Sequence, residues 1–124
     1  MRFPHADARA QATGESPALS LVVASRGEPR ALRALLGALL PLAGECGVEV
    51  VVARGGAHPE TAGLAREFPG VRFFAAPEDA TPQALRFTGM AEATGDVVML
   101  AADDDPSAPE RLLHLCRTYA AAEP

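Results

Sequence analysis

Residues 95–110 read Gly-Asp-Val-Val-Met-Leu-Ala-Ala-Asp-Asp-Asp-Pro-Ser-Ala-Pro-Glu. Val97 to Ala102 carry neither charge nor hydroxyl, the pattern of a strand buried on both faces. Asp103, Asp104 and Asp105 follow at once. Ser107, Pro109 and Glu110 then predict a helix start, with Ser107 as N-cap, Pro109 in the first turn and Glu110 completing a capping box. In open α/β sheets the carboxyl end of a strand is where ligands bind. Acids also favour helix starts for a plainer reason, the positive end of the macrodipole. Three adjacent carboxylates exceed that need, because like charges repel unless a cation sits among them.

The chain on either side repeats the alternation. Ala18 to Ser25 predicts a strand, broken by Arg26-Gly27-Glu28-Pro29. Leu32, Leu35, Leu36, Leu39 and Leu40 recur at helical spacing, and Pro41 with Gly44 is expected to stop that helix. Val48 to Ala53 predicts a second strand, Pro59 to Phe68 a helix, and Val71 to Ala75 a short third strand. Thr81-Pro82 caps a helix running to about Ala93, and Leu112, Leu113, Leu115, Cys116 and Tyr119 stripe the last one. The order βαβαβαβα with short connections demands a mostly parallel sheet with helices on both faces, a three-layer αβα Rossmann-like domain. Residues 1–17 read as a flexible polar tail, and 18–124 as the domain.

Composition narrows the partners. The chain has 124 residues and a formal charge of −5, which argues against nucleic acid held through phosphates. All 11 basic residues are Arg, so Schiff-base and P-loop lysine chemistry is excluded. The first loop lacks Gly-x-Gly-x-x-Gly, which speaks against a dinucleotide, and no nucleophile elbow is present. Cys46 and Cys116 form no disulfide framework or zinc pattern and read as small core residues. His58 and His114 stand alone and read as cap or surface residues, and His5 falls in the tail. No run is long enough to span a membrane and no signal core opens the chain, so a cytoplasmic protein is expected.

Several segments in order resemble glycosyltransferase family 2, whose domains have the GT-A fold. They are Leu19 to Ser25, Glu60 to Pro69, Pro77-Glu78-Asp79, Arg86 with Gly89, and Ala91 to Asp96 before the acids. The likeness covers 18–113 and corresponds to the nucleotide-sugar-binding half of such a domain, with the acceptor half expected to be absent. It implies a four-stranded sheet in the order 3-2-1-4. It also implies binding of a nucleoside-diphosphate sugar together with a divalent metal, Mn²⁺ or Mg²⁺, at a DxD motif. Carried over by position, Asp104 and Asp105 would hold the metal. Ser25, Glu28, Arg54, Arg86 and Asp103 would line the nucleotide-sugar site.

The departures are specific. Arg54 and Gly55 stand where the family has an acidic pair, Ala102 where its DxD begins, and Phe87 where it has Asn. Asp103 with Asp105 offers a DxD shifted by one residue. Arg54 reads first as a solvated loop side chain; as a binding residue it would contact a phosphate or stack on a base. Arg86 faces either a pyrophosphate or solvent, and Glu28 is either a rim residue or a first-turn acid. The resemblance implies a glycosyltransferase-like protein that transfers sugar when an acceptor-binding partner completes it. The alternative is a non-catalytic interaction module or degenerate remnant on the same fold. Strand 97–102 would lie at a sheet edge with little charge to protect it, so a homodimer or a separate partner chain is expected to cover it.

Overall fold

The computed structural model describes residues 19–55, 61–77 and 79–122. The expected tail, His58, the helix start at Pro59, Glu78 and the side chain of Tyr119 lie outside the described residues. The elements are β1 (Leu19–Ser25), α1 (Pro29–Cys46), β2 (Glu49–Arg54), α2 (Thr61–Glu67), β3 (Arg72–Ala75), α3 (Pro82–Glu92), β4 (Val97–Ala102) and α4 (Ala108–Ala122). The strands form one sheet in the order β3-β2-β1-β4, and every pairing is parallel. Val22 lies in register with Val51 on one side and Leu100 on the other. The expected architecture and strand order are therefore present.

Alternation along the strands sorts side chains into two layers. Leu21, Val23, Val50, Val52, Met99 and Ala101 meet the leucines of α1, Leu64 of α2 and Leu112 of α4 in the main core. The opposite face is served by α3, where Leu85 packs with Ala24 and Ala53. A Cβ at Gly89 would lie 2.3 Å from Val22 Cγ1, so α3 can press onto β1 only because residue 89 has no side chain. β1 and β2 are buried along their whole length, as central parallel strands must be.

One expected boundary is wrong. Helix α1 runs through Pro41 and Gly44 to Cys46 and ends at Gly47, whose φ of 69° is the left-handed cap. Proline removes one backbone bond, but Ala43, beyond it, is buried in the main core. Leu40 and Leu42 pack against that core as well, so burial holds the helix together through its weakest turn.

A second polar cluster closes the amino-terminal ends of the strands. Glu49, at the start of β2, is 3% exposed. Its carboxylate accepts from Ser20 Oγ at 2.8 Å, Thr94 N at 2.8 Å, Thr94 Oγ1 at 3.1 Å and Arg72 Nη1 at 2.8 Å. Arg72 also donates to the Glu92 carbonyl at 2.7 Å and stacks its guanidinium over Phe74. Burial pushes the Glu49 carboxyl up, but the Thr94 amide, the Ser20 hydroxyl and Arg72 together outweigh it and hold it below its ordinary value.

Candidate functional site

The carboxyl ends of β1, β2 and β4 meet at the opposite rim. Ser25 ends β1, Arg54 ends β2 in register with it, and Asp103 follows β4. Arg54 is 1% exposed. It donates to Ser25 Oγ at 2.6 Å, the Gly27 carbonyl at 2.9 Å and Thr61 Oγ1 at 3.1 Å. Ser25, itself buried, donates on to Asp103 Oδ2 at 2.9 Å, and the Gly27 amide donates to the same oxygen at 2.8 Å. The guanidinium thus meets the carboxylate through one hydroxyl, and the β1–α1 loop is fastened to the β4–α4 loop.

This corrects the solvated-loop reading of Arg54. A loop arginine was expected because Gly55 and Gly56 follow it; the chain instead keeps residue 54 in the strand, where its side chain must find partners inside. The signals sequence reading missed are Gly27 and Thr61. Neither has a charge or a motif, and each matters only through its position around a buried cation.

The three acids have three different fates. Asp103 is half-buried and turned inward, and among the described residues no hydrogen bond reaches its Oδ1. Asp104 is exposed and has no hydrogen-bond partner among the described residues. Asp105 Oδ1 accepts from the Ser107 amide and hydroxyl, and Oδ2 pairs with Arg111. The Ser107 hydroxyl lowers the Asp105 carboxyl most; slight burial opposes it, and the Ser107 amide and Arg111 add to the lowering. The expected capping box is not formed among the described residues: Ser107 turns its hydroxyl back to Asp105, whose carboxylate also accepts from the Ser107 amide.

The remaining candidates are exposed, and among the described residues no hydrogen bond ties them to this network. Glu28 is exposed and occupies the N-cap position of α1 without a side-chain cap bond. Arg86 is exposed on α3. Of the two thiols, Cys116 is buried as expected, whereas Cys46, at the last turn of α1, is exposed and not a core residue. A hollow of about 440 Å³ is lined by Glu110, Arg111, His114 and Leu115 of α4, and none of the three acids is among those lining residues. Among the described residues no cluster of three or more His, Cys, Asp or Glu side chains is gathered for a metal. As the acids stand, Asp104 and the outer oxygen of Asp103 are the carboxylate oxygens free to meet a cation. Asp105 would have to release Arg111 first.

A parallel sheet in the order 3-2-1-4 with helices between the strands defines a three-layer, Rossmann-like class of α/β protein. The sequence profile of glycosyl transferase family 2 matches residues 20–123. The chain belongs to that family, and the resemblance drawn from its motifs is confirmed. Comparison with curated proteins gives no match. No helix among the described residues is long and apolar enough to cross a membrane.

Proposed function

We propose that the carboxyl rim binds a nucleoside-diphosphate sugar together with a divalent cation, Mn²⁺ or Mg²⁺. The support is one arrangement: Asp104 exposed beside an Asp103 whose inner oxygen is fixed by Ser25 and Gly27 and whose outer oxygen is not engaged. A hard cation suits that oxygen pair, and when bound it screens the charge of a diphosphate. Arg86 is the exposed guanidinium offered to the pyrophosphate, and Glu28 flanks it from the start of α1. Ser25 and Arg54 lie beneath the surface and act by holding Asp103 in place. Sugar transfer follows when an acceptor-binding surface completes the rim. Thermal melting with Mn²⁺ or Mg²⁺ and UDP-, GDP- and TDP-sugars tests the reading. Ligand at about 100 times its Kd should add about 2.7 kcal/mol. No shift with any of the pairs overturns it.

The second reading is a non-catalytic interaction module. It is favoured by the internal satisfaction of the rim, since Arg54 and Asp103 already have partners without any ligand. The outer edge of β4 would then be the working surface. That edge has half-buried Val97, Val98, Leu100 and Ala102, and among the described residues it is paired on one side only. It is better guarded than expected, because Arg111 donates to the Leu100 carbonyl at 3.1 Å. A second copy or another chain would cover the edge in either reading. Light scattering showing a clean monomer at micromolar concentration excludes the second copy, and Val98→Asp should abolish association with either partner.

A further inference from the structure

We infer that Arg111 is an internal latch on the acidic turn: it competes with a divalent cation for Asp105 and lowers the cation affinity of the rim until it is displaced. The inference rests on the cation reading proposed above and adds a regulator to it. The Asp105 amide donates to the Ala102 carbonyl at 3.1 Å, so one tight turn carries Asp103, Asp104 and Asp105. Arg111 reaches this turn from α4. Its Nη2 donates to Asp105 Oδ2 and also, at 3.1 Å, to the Leu100 carbonyl. Asp105 Oδ1 is held separately, by the Ser107 amide at 2.9 Å and the Ser107 hydroxyl at 2.7 Å.

The two oxygens of Asp105 therefore have separate roles. Ser107 orients the carboxylate, and among the described residues Arg111 alone occupies Oδ2. Displacing the arginine exposes an oxygen that is already aimed, not a loose side chain. A hard divalent cation takes about six oxygen ligands and favours carboxylates. Latched, the turn offers Asp104 and the outer oxygen of Asp103; unlatched, it adds Asp105 Oδ2. At rest the guanidinium also neutralises one of three adjacent acids, so the turn tolerates its own charge without a metal. The latch can open because its ion pair is partly exposed, unlike the buried pair of Glu49 and Arg72. Arg111 also lines the hollow of α4 together with Glu110, so a displaced guanidinium meets open space and a second carboxylate.

Titration of the full chain with Mn²⁺ alone, with free ion counted by electron paramagnetic resonance, tests this. Arg111→Gln should bind Mn²⁺ about fivefold more tightly than wild type, the scale of a partly exposed ion pair. That gain should vanish in the Asp105→Asn background, where the latch has nothing to hold. An equal gain in both backgrounds reduces Arg111 to a distant charge and overturns the inference. So does wild-type binding that Arg111→Gln leaves unchanged or weakens, and the cation reading of the rim then stands. Binding by Arg111→Gln and not by wild type supports the latch. No Mn²⁺ bound by any variant overturns the latch and the reading beneath it together. Melting without metal checks that each variant folds; should Arg111→Gln unfold, Arg111→Lys carries the same cycle, with a smaller gain expected.

Discussion

The two rims of this sheet carry the same kinds of groups and use them differently. At the amino rim, Glu49 and Arg72 touch directly, both nearly out of solvent, and Ser20 and Thr94 fill the remaining acceptor sites of the carboxylate. At the carboxyl rim, Arg54 reaches Asp103 through Ser25, and among the described residues no hydrogen bond reaches the second oxygen of Asp103. The first cluster is closed on itself, apart from the orphan Arg72 Nε. The second fixes loops while keeping carboxylate available at the surface. A direct buried ion pair is a fastening; an ion pair with a hydroxyl between its members can hold a loop and still offer charge to a ligand.

The largest expected effect breaks the closed rim. Glu49→Gln removes the carboxylate that accepts from Arg72 Nη1 at 2.8 Å and leaves that buried guanidinium the more distant, more exposed Glu92 carboxylate, 3.6 Å from Nη2, as its counter-charge among the described residues. Chemical denaturation should show a loss of about 3–5 kcal/mol. Arg54→Ala, at the open rim, should lose about 2–3 kcal/mol, because Ser25 Oγ, the Gly27 carbonyl and Thr61 Oγ1 lose a donor. Equal losses for the two would erase the distinction between the rims.

Acid titration sharpens the same contrast. Glu49 is held below its ordinary value of 4.5, so its stabilising contribution is complete above that pH and is lost as pH falls through the depressed value. The wild-type stability should therefore fall on the acid side more steeply than that of Glu49→Gln. Asp105 acts with the same sign from an ordinary value of 3.8, but at a more exposed site, so Asp105→Asn should flatten the acid limb less. The smallest change is Asp104→Asn. Stability in buffer should stay within about 0.5 kcal/mol of wild type, since the side chain is exposed and unbonded among the described residues. The melting shift produced by cation and nucleotide sugar should disappear. A retained shift would detach the exposed acid from the proposed site.

How much of this could be read from the chain follows from what each feature depends on. The alternation of apolar strands with leucine-striped helices is local, so the parallel sheet and its layers were legible, as was the family. The acidic loop was legible as a place. The division of labour within it was not, because Asp103, Asp104 and Asp105 are chemically alike and differ only in what the fold sets beside them: Ser25 and Gly27, nothing, and Arg111. Glu49 and Arg72 each open a strand, and their pairing spans two neighbouring strands, so no window of sequence contains it. Pro41 looked like a stop because local propensity says so; the burial of Ala43 beyond it is a tertiary fact.

The contact between Gly89 and Val22 carries one more consequence. With hydrogen in place of a methyl, the α3 backbone rests on β1 at the smallest stand-off a helix can take, and Arg86 rides on that same helix three residues earlier. Position 89 is therefore a spacer of zero thickness: whatever lifts the helix there also raises the anchor point of the arginine. A single methyl added at this contact would retune how far that cation stands from the sheet, without touching any polar group of the carboxyl rim.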